Sequence, residues 1–248
     1  MSHLSFSHTN DRPWPLPPKP WRWAQTWSHL LFAHWRVPAE KLRHLIPAGL
    51  TLQEFDGSAW IGVVPFLLDV RPRYVPSLPR VLRFPEINVR TYVETGGKPG
   101  VWFFSLDARN PLAVWAARRF FHLPYYKARM QVDLAGEEVR FATRRTIGVQ
   151  PPEYIGSYRP ASEVFEATPG SLDHWLTERY CLYSQDPTGA LYRADVHHRP
   201  WPLQRAEAEI ETNTMLDPLG IPVSNDPPVL HFARRIDVFV WPIEHVSM

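Results

Sequence analysis

The chain is poor in cysteine and glycine, nearly balanced in charge, and free of long apolar runs. One cysteine, Cys181, stands among 248 residues. That excludes an internal disulfide and a thiolate zinc site, and with no partner pattern around it Cys181 reads as a small, half-buried, inert thiol. Lys and Arg number 27 against 25 Asp and Glu, a net charge of +2. The basic residues are dispersed, down to isolated pairs such as Arg118-Arg119, Arg144-Arg145 and Arg234-Arg235. No continuous basic face is expected, so nucleic acid is not an expected partner. No run approaches the ~18 apolar residues of a membrane helix, and the first twelve residues lack an apolar signal core. The expectation is a cytoplasmic chain with no membrane contact. Gly/Ser linkers, charge runs and internal repeats are missing too, which favours one main domain.

Common chemical motifs are also missing: no G-x-S-x-G, no P-loop, no G-x-G-x-x-G after a strand and no H-E-x-x-H. The chain has 11 histidines. The densest pair, His197-His198, would point to opposite faces of a strand. No carboxylate or third histidine lies at ligand spacing, so neither a metal nor another cofactor is expected. His198, ahead of Pro200-Trp201-Pro202, reads either as a packed, hydrogen-bonded residue or as part of a binding site.

What the chain does have is 27 prolines and 11 tryptophans, within a composition 44% hydrophobic and 21% charged. That balance is globular, and a chain of this length can bury roughly 70–75% of its unfolded surface. Prolines spread along the sequence argue for many strands and irregular loops and against long helices. Residues 1–23 form a Pro/Trp-rich N-terminal strap, polyproline-like over Arg12 to Pro20. It fits either a partner's aromatic groove or the protein's own surface, with Trp14, Trp21, Trp23 and Trp27 as anchors. Residues 24–248 are the single barrel domain.

Along that domain, residues 28–36 read as a strand with Phe32, His34 and Arg36 on one face. A short helix follows from Pro38, ended by Pro47-Ala-Gly49. Residues 50–55 and 60–70 read as a hairpin about Asp56-Gly57. Val101 to Asp107 is a strongly apolar strand. Asn110 and Pro111 open the clearest helix in the chain, with Leu112, Trp115, Ala116 and Phe120 as its expected packed face. Two strands flank Ala135-Gly136, residues 150–160 read as loop, and Ser171 caps a third helix. Extended segments follow over 192–211 and 229–241. The expected class is α+β: a strongly curved, mostly antiparallel barrel or sheet of nine or ten strands with about three short helices.

The stretch Phe84-Pro-Glu-Ile-Asn-Val-Arg-Thr-Tyr92 stands out. Period-2 alternation puts Ile87, Val89 and Thr91 on one face and Glu86, Asn88 and Arg90 on the other. The polar row is either the solvated face of an antiparallel strand or the lining of a cavity. In a cavity, a carboxylate would have a shifted pKa and could do proton chemistry.

Several stretches carry a family resemblance. Thr26-Trp27-Ser-His-Leu-Leu-Phe-Ala-His-Trp-Arg36, Leu45-Ile-Pro-Ala-Gly-Leu50, the Phe84–Tyr92 strand, Gly100-Val-Trp-Phe-Phe-Ser-Leu-Asp107, Leu123-Pro-Tyr125 and Val196-His-His-Arg-Pro-Trp-Pro202 resemble the bacterial YqjF-like family, over residues 24 to 244. That family has no established activity and is grouped by fold with the acetoacetate decarboxylase superfamily. The resemblance implies a cone-shaped antiparallel barrel with an internal pocket. Acetoacetate decarboxylases use a lysine Schiff base whose pKa a neighbouring lysine depresses, with a glutamate and an arginine handling protons and the substrate carboxylate. By resemblance Arg36 corresponds to that arginine and Glu86 to that glutamate. The paired lysines have no match: Tyr125 and Tyr126 hold their positions, and Lys127 lies two residues beyond the catalytic one, ~6.6 Å along a strand. Lys127 is then either a rim residue or an amine that reaches inward. The tyrosines are either phenol donors or wall packing.

Three functional classes follow. One is a decarboxylase-like lyase acting on a small keto acid or carbonyl compound, with Arg36 on the carboxylate, Glu86 moving a proton and Lys127 forming the imine. The second is a non-catalytic small-molecule binding protein using Arg36, Asn88, Arg90, Tyr125, Tyr126 and His198. The third is an interaction module using the strap. The aromatic content permits a homo-oligomer.

Overall fold

A computed structural model of the chain describes residues 4–7, 9, 11–74, 83–222 and 226–246. Thirteen strands form one sheet. They are β1 (Trp23–Val37), β2 (Thr51–Leu52), β3 (Ala59–Pro72), β4 (Arg83–Thr95), β5 (Lys98–Ala108), β6 (Tyr125–Ala135), β7 (Glu138–Arg145), β8 (Glu153–Pro160), β9 (Cys181–Gln185), β10 (Leu191–His197), β11 (Leu203–Asn213), β12 (Val229–Val240) and β13 (Glu244–His245). Three helices punctuate them: α1 (Ala39–Arg43), α2 (Pro111–Phe121) and α3 (Leu172–Thr177).

The strand order is β13-β10-β9-β5-β6-β7-β8-β11-β12-β1-β3-β4-β2, with β5 also paired to β4 and β10 to β12. Those two extra pairings close the sheet twice. From β5 to β12 three routes exist: through β9 and β10, through β6, β7, β8 and β11, and through β4, β3 and β1. The last route is a wall shared by two lobes. Each lobe fills with side chains from its own face of that wall. Leu31, Ala33, Val63, Ile87 and Val89 pack with Met130, Phe141, Tyr154 and Phe232. Leu30, Phe32, Val64, Phe66 and Phe84 pack with Ala194, Val196 and Val238. A strand buried on both faces in this way reads as continuously apolar, as residues 60–68 do.

The structure departs from the sequence expectation in several elements. The segment at 50–55 does not form a hairpin with the one at 60–70. β2 pairs with the far end of β4, Leu52 facing Val93, and only a Phe55–Ser58 bridge closes the Asp56-Gly57 turn. Residues 153–160 form β8, stitched between β7 and β11. That stretch lacks an apolar run because alternate residues face outward. β9 is too short to announce itself by periodicity.

Ahead of β1, Arg12 is buried. Its guanidinium donates to Asp195 at 3.1 Å and to the Val196 carbonyl, and the Trp14 indole N–H donates to the same carboxylate at 2.6 Å. Phe6 packs on Phe239, and the Trp241 indole donates to the Lys19 carbonyl at 2.6 Å.

Candidate functional site

β4 carries the polar row. On one side it registers with β3, Glu86 opposite Phe66, Asn88 opposite Val64 and Arg90 opposite Gly62. On the other it registers with β5, Glu86 opposite Ala108 and Asn88 opposite Leu106. Ile87, Val89 and Thr91 fill the lobe behind, so Glu86, Asn88 and Arg90 project into the other lobe. All three are buried. They line a cavity of about 360 Å³. The solvated-face alternative is therefore ruled out for this row.

The rest of the lining is apolar, drawn from β1 (Trp23, Trp27), β3 (Val64, Phe66, Leu68, Val70), β4 (Phe84), β5 (Phe103, Leu106) and the inner side of α2 (Ala113, Ala117, Phe121). Of the lining side chains only Gln25, Glu86, Asn88, Arg90 and Tyr125 carry a titratable, amide or hydroxyl group. The Gln25 amide oxygen accepts from the Trp27 indole at 2.7 Å.

Glu86 is the titratable centre. Its carboxyl is pushed up to about 8, chiefly because burial disfavours the charged form and further because the Asp107 carboxylate lies near. The Tyr125 hydroxyl donates to Oε2 at 2.7 Å, which works the other way but does not outweigh burial. The carboxyl is therefore mainly protonated at neutral pH. With Oε2 accepting from Tyr125, the acid proton falls to Oε1. Tyr125 is itself buried and held well above the usual phenol range by burial and by Glu86, so it acts as a donor, not a base. Behind the pair, Asp107 takes two hydrogen bonds from Arg145, 3.0 Å from Nε and 2.8 Å from Nη2.

Arg90 presents a different chemistry. Its Nη2 makes long contacts to the Tyr92 hydroxyl, 3.4 Å, and the Leu176 carbonyl, 3.3 Å, and its plane lies over the Phe32 ring at 4.9 Å. Its Nε and the Asn88 Oδ1 are buried with no hydrogen-bond partner. No carboxylate forms an ion pair with Arg90 among the described residues. A buried cation without an anion is costly, and here it opens onto an apolar hollow.

One further layer holds Arg90 and Tyr92 in place. The Tyr92 hydroxyl donates to the Leu176 carbonyl at 2.7 Å and lies 2.7 Å from His34 Nε2. Because a carbonyl can only accept, the hydroxyl proton goes to Leu176 and Nε2 carries the imidazole proton toward Tyr92. His34 is fully buried and held well below its ordinary pKa by burial and by Arg90, so it is a neutral Nε2–H tautomer. The Gly62 backbone lies against this ring: a Cβ there would sit 2.8 Å from the imidazole.

The sequence-selected residues do not all meet. Glu86, Asn88, Arg90 and Tyr125 share the cavity. Arg36 does not line it. It shares a strand face with Phe32 and His34, but its cross-strand partner is Trp60, whereas Glu86 pairs with Phe66. Six residues of strand separate those rows, about 20 Å. Arg36 is exposed, with its guanidinium over the Trp60 ring at 5.0 Å.

Lys127 is also exposed. β6 runs parallel to β5 over Tyr125–Lys127 and antiparallel to β7 from Ala128 onward. Alternation is unbroken across that change: Tyr125 packs in the cavity's lobe, Ala128 and Met130 on the opposite face in the other lobe, and Lys127, on the face of Tyr125 but beyond that lobe, is left outside. Tyr126 is half-buried outside the cavity, its ring under the Arg145 guanidinium at 3.8 Å. His198 is buried but faces elsewhere, stacked on Tyr180 at 4.7 Å with both ring nitrogens at backbone carbonyls. The packed reading of His198 is the one the structure supports.

Sequence reasoning did not find the Asp107–Arg145 pair, the His34–Tyr92 layer or the aromatic walls. A lone acid ending the apolar Val101–Asp107 strand was the one available signal. Among the described residues, no group of three or more His, Cys, Asp or Glu side chains is placed to hold a metal ion, and no helix is long and apolar enough to cross a membrane.

Comparison with known proteins adds three findings. The model of the family DUF2071, an uncharacterized conserved protein, matches residues 24–237. The uncharacterized protein YqjF of Bacillus subtilis (strain 168) is 46% identical over 233 residues, covering 94% of this chain and 96% of the relative. Among solved structures, the enduracididine biosynthesis enzyme MppR complexed with pyruvate superposes with a TM-score of 0.61 at 14% identity, over 95% of this chain and 93% of that one. An acetoacetate decarboxylase-like enzyme from Sphingomonas wittichii RW1 does so with a TM-score of 0.62 at 12% identity, over 94% and 97%. At these identities the likeness establishes the acetoacetate decarboxylase-like fold.

Proposed function

Given that the chain belongs to the DUF2071 family and has an acetoacetate decarboxylase-like barrel, we propose that it binds a small carboxylate or carbonyl compound in the cavity above β4, as a lyase-like enzyme that moves a proton through Glu86. The observation that carries this is the buried Arg90 guanidinium, unpaired with any carboxylate among the described residues and facing the same apolar hollow as a protonated carboxyl. Arg90 supplies the charge for a carboxylate head group. Asn88 supplies an amide oxygen without a hydrogen-bond partner, an acceptor for a ligand N–H or O–H. Glu86, mainly protonated at neutral pH, donates to a carbonyl oxygen in that form, and its ionised fraction takes the proton from the carbon beside the carbonyl and returns it to the enolate carbon. Tyr125 orients Glu86 and does not compete for its proton.

A decarboxylase-type Schiff base is disfavoured. Among the described residues no lysine lines the cavity, and Lys127 is on the outer side. Borohydride treatment with a keto acid should therefore leave Lys127 unmodified by mass spectrometry. A covalent adduct there would restore the imine mechanism.

The absence of an amine favours a second reading, binding without chemistry. Binding and deuterium exchange of a 2-oxo acid separate the two. The lyase-like reading expects binding that Arg90→Met weakens at least tenfold. It also expects exchange at the carbon beside the carbonyl that Glu86→Gln abolishes while binding persists. Binding without exchange leaves the second reading standing. No binding, or binding indifferent to Arg90→Met, would overturn both.

A further inference from the structure

We infer that the ligand is a monocarboxylic acid with a bulky apolar tail, aryl or medium-chain alkyl, rather than a three- or four-carbon acid. This rests on the proposed carboxylate site at Arg90 and extends it. The first observation is volume. At the ~30 Å³ that one water occupies in the liquid, the cavity of about 360 Å³ holds about a dozen non-hydrogen atoms. A three-carbon keto acid has about half that number and would leave a void against apolar walls.

The second observation is order along the cavity. Row by row, β4 and β3 present Arg90 with Gly62, Asn88 with Val64, Glu86 with Phe66, then Phe84 with Leu68. The polar groups therefore occupy one end. Beyond Glu86 the lining is Phe84, Leu68, Val70, Trp23, Trp27 and Phe121, and the one amide there, Gln25, has its oxygen engaged by Trp27. Arg90 to Phe84 spans six residues, about 20 Å. A head group on Arg90 thus directs its tail past Glu86 into a section that is apolar but for the Gln25 amide and the tryptophan indole N–H groups among the described lining residues. The third observation is the rim: Leu112 and Trp115 of α2 line the cavity yet are 72% and 60% exposed, an apolar entrance suited to an apolar tail.

The test is calorimetric titration of the full chain with the straight-chain acids butanoate to decanoate, 3-phenylpropanoate and decanol. The dissociation constant should fall about fourfold per methylene, levelling near ten carbons, with 3-phenylpropanoate well tighter than butanoate and decanol much weaker than decanoate. Ala117→Phe, which fills the apolar section, should weaken decanoate while sparing butanoate. If butanoate binds as tightly as decanoate and Arg90→Met weakens both, the tail inference is overturned and the carboxylate site stands. If decanol matches decanoate and Arg90→Met changes nothing, the carboxylate site itself falls, and this inference with it. The decanol comparison needs no variant, so it decides the head-group question even if Arg90→Met fails to fold.

Discussion

At the scale of the residue, Glu86 is a buried carboxyl with a raised pKa and carries a stability signature. Its folded pKa of about 8 lies above its ordinary value of 4.5. Between those values the unfolded chain releases a proton that the folded chain keeps, so stability falls as pH rises through this window and levels above it. Glu86→Gln removes the titration. Relative to the wild type it should gain a few kcal/mol of stability between pH 5 and pH 8, read by urea denaturation at both. An unchanged difference would mean that Glu86 ionises freely in the fold. Tyr125→Phe removes the one hydrogen bond that favours the ionised form, so it should move the midpoint of that pH dependence upward.

At the scale of the element, α2 and the β3–β4 pair position the site. Asn110 caps α2 by accepting from the Leu112 and Ala113 N–H groups at 3.0 and 3.2 Å, and His122 ends it in a left-handed conformation. The expected packed face of Leu112, Trp115, Ala116 and Phe120 is not the observed one. Val114 is the buried residue, Ala113, Ala117 and Phe121 turn inward, and Leu112, Trp115 and Phe120 are exposed. The helix is apolar nearly all round, so periodicity alone could not choose its inner side. Asn110→Ala should cost about 1 kcal/mol, measured by thermal unfolding. Gly62→Ala drives a methyl into the His34 ring, which is buried and hydrogen-bonded to Tyr92. A cost of about 1–3 kcal/mol is expected, with weaker ligand binding because Tyr92 and Arg90 shift together. Unchanged melting would show that the imidazole can yield.

At the scale of the whole molecule, two lobes share one wall, and that arrangement buries a polar row that would otherwise face solvent. The shared wall also explains the buried Asp107–Arg145 pair. Asp107 on β5 lies next to the cavity and Arg145 ends β7 of the other lobe, so the pair ties the two closures together. Arg145→Met leaves Asp107 buried without its cation and should cost about 3–5 kcal/mol, whereas Asp107→Leu with Arg145→Met should recover most of that loss. A double-mutant cycle by chemical denaturation checks this. A double variant as unstable as Arg145→Met would mean that the packing, not the charge, ties the lobes. Removing Asp107 also removes a neighbouring negative charge, so Asp107→Asn should lower the Glu86 pKa.

The sequence by itself determined the alternation of Glu86, Asn88 and Arg90, the Asn110 cap and the β-rich class. These depend on residues close in the chain, where period and turn chemistry act directly. Tertiary structure alone decided which face of β4 met a hollow, because the sequence alternates identically whether the row meets water or a second wall. It also decided that Arg36 and Lys127 stand apart from Glu86. Their positions depend on registers between distant strands and on where the cavity's lobe ends along β6, neither of which leaves a local pattern. Of the two guanidiniums that the sequence singles out, Arg90, two turns of the pleat from Glu86 on its own strand, lines the cavity and Arg36 does not.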